Sequence, residues 1–218
     1  VRLYLASTSP ARLALLRQVG IEPVVVPSHV DEEAAVRRAT DDNGELDASA
    51  MVTLLARLKA EAILGQRPDG EEIDGVVLGG DSAFELDGIV YGKPHEPQIA
   101  RERWLDQRGK TGTLHSGHWI IEVTNGTPGR ALGATAHASV EFAADISEQE
   151  IDAYVASGEP LQVAGAFTVD GLAAPFIRSV TGAPSTVIGM SLPTLRTMLA
   201  ELDIDMMSLR ATNVKSHL

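Results

Sequence analysis

Short apolar runs and amphipathic stretches take turns along the chain from its first residues. Leu3–Ala6 is an apolar run of the kind a buried strand leaves. Ser7, Thr8, Ser9 and Pro10 interrupt it, and then Leu13, Leu16 and Val19 recur on one helical face with Leu15 beside them. This spacing predicts a helix over 11–19, with Pro10 in the tolerated first turn and Gly20 as its stop. A second strand is predicted at Val24–Val26, broken by Pro27. Residues 33–50 are polar and acidic around the turn Asp41-Asp42-Asn43-Gly44, and a mobile insertion is expected there. Ala48–Leu64 carries Leu54, Leu55, Leu58 and Ala62 at helical spacing, and 65–75 reads as a loop.

Val76–Leu78 reads as a strand that ends at Gly79-Gly80-Asp81-Ser82 and resumes through Ala83–Leu86. Asp87-Gly88 signals a hairpin returning through Ile89–Tyr91 to Gly92-Lys93-Pro94. A helix is predicted over 97–109, then strands at His118–Val123 and Ala131–Phe142 joined by turn residues 125–129. Ser147 with Glu150 forms a capping box for a helix to Ala156, stopped by Gly158. The glycine-rich stretch 164–182 reads as loop and short strand, Pro193 opens a last helix to Leu202, and 208–218 is expected to fray. Interleaved strands and helices with hairpins among them predict an α/β fold on a mixed sheet, as one domain over 1–218.

Composition narrows the function classes. With 218 residues, 44% of them apolar, the chain can bury a substantial core. No apolar stretch approaches the ~18 residues a membrane helix needs, and the start lacks a basic region followed by a long apolar segment. The absence of cysteine excludes disulfides, thiolate metal sites and a cysteine nucleophile. A soluble, cytoplasmic protein is expected, without a membrane partner. The net charge of −12 argues against a nucleic-acid partner, while one local cluster of cations would still hold a phosphate. Acidic chains also suit divalent cations.

Three stretches hold candidate chemistry. At Ser7–Arg12 the hydroxyls either cap a helix or, with the helix start and Arg12, cradle an anion; both readings fit. In "VVLGGDSAFELDGIVYGKP" the carboxylate of Asp81 suits a general base or a metal ligand, the glycines would let a ligand approach the backbone, and Lys93 would return one hairpin later. Asp31-Glu32 follows the second strand and suits Mg²⁺, whereas Lys59 lies inside the long helix and reads by itself as a solvated charge. The six histidines make no metal-binding pattern, and no serine nucleophile is signalled.

In order along the chain, "LASTSPARLALLRQVGI", "VDE", "LARLKAEA", "GGDS…LDG…YGKP", "GKTGTLHSG", "EIDAYVASGEPLQVAGAFTVDG" and "VIGMSLPTL" resemble the Maf proteins, from about residue 3 to residue 200. These are nucleoside triphosphate pyrophosphatases related in fold to the inosine triphosphatases. The resemblance implies an elongated, twisted mixed sheet flanked by helices, two lobes around a central cleft, and a homodimer. It implies hydrolysis of a nucleoside triphosphate to monophosphate and pyrophosphate with Mg²⁺ or Mn²⁺, in the service of clearing modified nucleotides. Asp81 would activate water; Ser7, Ser9, Arg12, Lys59 and Lys93 would hold phosphates; Glu32 and Asp81 would bind the metal. The family name also records septum formation, so a nucleotide-binding regulator of cell division with little turnover is the alternative.

The chain departs from the family pattern where the thymidine/uridine triphosphate branch sets its specificity. Ala11 stands for an arginine, Ser82 for a threonine, Asp170 for a glutamine and Val163 for a lysine. The 7-methylguanosine triphosphate branch carries an acidic residue near Asp170, but a tryptophan and a glutamine where this chain has Ala11 and Ser82. An ionised carboxylate only accepts hydrogen bonds, so Asp170 would favour a base edge rich in donors, such as guanine; a relaxed or purine-tolerant enzyme is expected, and Ser82 and Asp170 join the expected substrate-binding set.

Overall fold

The computed structural model describes residues 1–210. In chain order the elements are β1 (Arg2–Leu5), α1 (Pro10–Gln18), β2 (Val24–Val25), α2 (Glu32–Asn43), α3 (Ala48–Ala62), β3 (Gly75–Leu86) and β4 (Ile89–Tyr91). They continue with α4 (Pro97–Gln107), β5 (Thr111–Thr124), β6 (Thr127–Phe142), α5 (Glu148–Ala156), β7 (Ile177–Thr181), α6 (Pro184–Ile188) and α7 (Leu192–Glu201). Seven strands form one sheet in the order β2-β1-β3-β5-β6-β7, with β4 paired to β3. Parallel pairs β1/β2 and β1/β3 meet antiparallel pairs β3/β4 and β6/β7, so the sheet is mixed and helices flank it.

The chain divides into two compact units, each described by itself. The first holds 1–81, 117–135 and 192 onward; the second holds 82–116 and 136–191. In the first, Tyr4, Val77 and Ile121 of the strands and Ala6 just after β1 pack with Ala60 and Ile63 at the end of α3. In the second, all four phenylalanines of the chain share one apolar cluster with Trp104 of α4. Trp104 meets Phe142, Tyr154 and Phe176 edge-on at ring separations of 5.1–5.7 Å, the arrangement aromatic quadrupoles prefer. Its indole N–H donates to the Ala166 carbonyl at 2.7 Å.

Several elements differ from the sequence reading, among them β5, which starts at Thr111 rather than His118, and α6, which was not expected. Residues 32–43, most of the expected mobile insertion, are the helix α2, with the Asp31 carboxylate accepting from the Ala34 N–H at 3.0 Å as its N-cap. The strand expected to end at Gly79 runs unbroken through Asp81 to Leu86 as β3. The turn expected over 125–129 takes only Asn125 and Gly126, both at positive φ, as a two-residue hairpin connection requires; Thr127–Gly129 already belong to β6. The Ser147–Glu150 capping box forms and opens α5. Of the expected frayed tail, Ser208 and Leu209 end a 3-10 turn and Arg210 bridges to Ile21; residues 211–218 lie outside the described residues.

Candidate active site

The site begins where β1 hands over to α1. Pro10 fills the first helical position, and Ser9 caps the helix by accepting from the Arg12 N–H at 3.4 Å. Ser7 Oγ accepts from the Ser9 N–H and from Arg12 Nη1, both at 3.2 Å. The cap does not use up these hydroxyls: one that accepts through its oxygen keeps its own proton to donate. The Arg12 side chain does not wave in solvent. It is buried against Gly80 of β3, where a Cβ would lie 3.2 Å from Nε. Burial lowers its pKa, while Asp81 and Glu32 act in the opposite direction.

Helix α3 delivers the second cation. Val52, Ala56, Lys59 and Ala60 lie on its buried face. A Cβ at Gly79 would stand 2.0 Å from the Ala56 carbonyl oxygen, and one at Gly117 of β5 would stand 2.3 Å from that of Val52. The bare backbone of β3 and β5 lets α3 settle directly on the sheet. Alternation along β3 then turns Asp81, two residues after Gly79, towards the same helix. Lys59 Nζ meets Asp81 Oδ1 at 2.7 Å and Glu32 Oε1 at 2.7 Å. Lys59 is thus not a solvated charge; it and Asp81 are only 8% and 9% exposed. Burial pushes the Asp81 carboxyl above its ordinary range, against the pull of Lys59 and Arg12.

So Ser7, Ser9, Arg12, Glu32, Lys59 and Asp81 come together in the first unit. Of the neighbouring acids Asp31 and Glu32, only Glu32 enters, since Asp31 is spent on the cap of α2. The glycines expected to admit a ligand instead admit α3 at Gly79 and Arg12 at Gly80. Among the described residues no group of three or more His, Asp or Glu is arranged to hold a metal ion by itself.

Ser82, Lys93 and Asp170 belong to the second unit. The Ser82 hydroxyl donates to the Gly189 carbonyl at 3.2 Å and meets Ser116 Oγ at 3.3 Å. Lys93 is exposed two residues beyond β4, which runs back alongside β3 with Tyr91 opposite Phe84. Asp170 is exposed on a turn before β7.

A family model described as "Maf-like protein" matches residues 2–202. The chain belongs to the Maf family. Among its Maf relatives is a protein of Leifsonia xyli named "Nucleoside triphosphate pyrophosphatase", 65% identical over 205 residues that cover 94% of each chain. A protein of the same name from Salinispora tropica is 44% identical and aligns with 100% of this chain and 91% of its own length. Among solved structures, a HAM1 protein from Coxiella burnetii matches 92% of this chain and 99% of its own with a TM-score of 0.47 and 15% identity. The Maf motifs account for the cation-and-carboxylate cluster residue by residue. They do not reveal that Gly79 and Gly117 seat α3, nor that Glu159, inside the motif "GEP", is enclosed by the turn carrying Asp170. For the glycines the available signal was their position inside strands.

Proposed function

We propose that this chain is a nucleoside triphosphate pyrophosphatase, cleaving its substrate to the monophosphate and pyrophosphate. The observation that carries the reading is a desolvated carboxylate, Asp81, ion-paired to Lys59 beside the hydroxyls and Arg12 at the start of α1. The names of relatives at 44–65% identity support it. Asp81 accepts a proton from the attacking water; the water oxygen bonds to the α-phosphorus as the bridge to the β-phosphate breaks and pyrophosphate departs. A carboxylate raised above its ordinary pKa by burial is, once ionised, a better base than an exposed one. Ser7, Ser9 and the α1 start donate to phosphate oxygens, while Arg12 and Lys59 offset their charge. A regulator that only binds nucleotide would have no use for a buried base in this place.

A divalent ion, Mg²⁺ or Mn²⁺, fits the donors present. Glu32 and Asp81 both touch the Lys59 ammonium, so two carboxylates converge on one place in the fold. Mg²⁺ is held by one or two carboxylates with water and substrate phosphates rather than by an all-protein cage. Bound there, it would neutralise charge on the phosphate oxygens. On the same reading, Asp170 accepts from the donor edge of a purine such as guanine.

The test is pyrophosphate release from a panel of canonical and modified nucleoside triphosphates, with Asp81→Asn alongside. The reading expects release by the wild type and a loss of at least about a hundredfold in the variant. Nucleotide binding without release by the wild type would favour the regulator.

A further inference from the structure

Resting on the reading that Asp170 meets the nucleobase, we infer that Glu159 is the residue that positions the base-reading turn. Glu159 opens a 3-10 turn just after α5. Its Oε1 accepts from the Tyr154 hydroxyl at 3.0 Å, from the Thr168 hydroxyl, and from the Leu172 N–H at 2.9 Å. Oε2 shares the Leu172 N–H at 3.1 Å. The two donors from the turn flank Asp170 symmetrically in sequence, two residues before it and two after. The chain closes tightly on this carboxylate: a Cβ at Gly171 would stand 2.7 and 2.8 Å from its oxygens and 2.4 Å from Thr168 Oγ1. Only glycine leaves room there, so the turn is shaped around the carboxylate of Glu159.

The other end of the clasp is rigid. Tyr154 is packed edge-on against Trp104 at 5.1 Å and Phe176 at 6.2 Å, so Glu159 ties the turn to the aromatic core of the second unit. Burial alone would raise the Glu159 pKa. Hydrogen bonds from Thr168, the Leu172 amide, Tyr154 and the Ala173 amide outweigh it and hold the group below its ordinary value. An ionised acceptor at this position fixes both arms of the turn while Asp170, at its apex, stays exposed. Glu159 touches no reacting atom; it acts through Asp170.

The experiment measures kcat and KM for GTP and UTP in the wild type, Asp170→Asn, Glu159→Gln, Thr168→Val and the Glu159→Gln/Asp170→Asn double variant. Thr168→Val removes one clasp donor and carries the test if Glu159→Gln folds poorly. The expected result is a guanosine-to-uridine ratio of kcat/KM lowered about fivefold or more by each clasp variant, through KM, with kcat nearly kept. In the Asp170→Asn background, Glu159→Gln should change the ratio no further. The inference is overturned if folded clasp variants keep the wild-type ratio while Asp170→Asn changes it. It is equally overturned if they lower both nucleotides alike, the mark of a purely structural residue. An unchanged ratio in Asp170→Asn would remove Asp170 as the base reader and the inference with it.

Discussion

Lys59 places a single positive charge between two carboxylates, and the pH behaviour of the site follows from that. Asp81 sits above its ordinary range because burial outweighs the attraction of Lys59 and Arg12. The acid limb of kcat/KM should therefore lie above the roughly 3.9 of an unperturbed aspartate. Lys59→Met removes the strongest interaction holding Asp81 down, so the residual activity should show that limb at still higher pH in a pH–rate profile. Folding takes up a proton at Asp81 between its unfolded and folded values, so its contribution to stability falls as pH rises through that window. Urea unfolding across that range should show this slope in the wild type and lose it in Asp81→Asn. Residue identity was legible here: the motifs named Ser7, Ser9, Arg12, Glu32, Lys59 and Asp81. Environment was not. Nothing in "LARLKAEA" distinguishes a buried lysine from a solvated one, because its burial depends on which strands lie beneath α3.

At the scale of elements, two glycines set the site. The α3 backbone rests on Gly79 and Gly117 with no room for a methyl group. Gly117→Ala and Gly79→Ala should each cost about 1–3 kcal/mol by overpacking. Each should also lower kcat/KM by drawing Lys59 away from Asp81; urea denaturation and steady-state kinetics check the two effects. The misread elements share a cause. Apolar periodicity reports burial, and no described side chain of α2 is fully buried, so the helix rests on its Asp31 cap and its alanines and left no apolar stripe to read. Gly79 and Gly80 of β3 looked like an interruption because a strand interior normally avoids them; α3 packed on Gly79 and the Arg12 side chain against Gly80 explain them. By contrast the β3/β4 hairpin and the α5 capping box were legible because turn and cap chemistry are local.

For the molecule as a whole, charge and core are unevenly placed. A chain of net charge −12 holds Arg12 and Lys59 buried together, so the bulk charge says little about the ligand. The second unit concentrates the aromatic rings, and Trp104 contacts three of them besides donating to Ala166. Trp104→Leu should lower stability by about 3 kcal/mol or more, read from urea unfolding. No helix among the described residues is long and apolar enough to cross a membrane. The central claim is that Asp81 directs water to the α-phosphorus, and turnover in water labelled with heavy oxygen tests it most directly. Label is expected in the nucleoside monophosphate, with none in the pyrophosphate and no labelled product from Asp81→Asn. Label in the pyrophosphate, or products of diphosphate and orthophosphate, would contradict it.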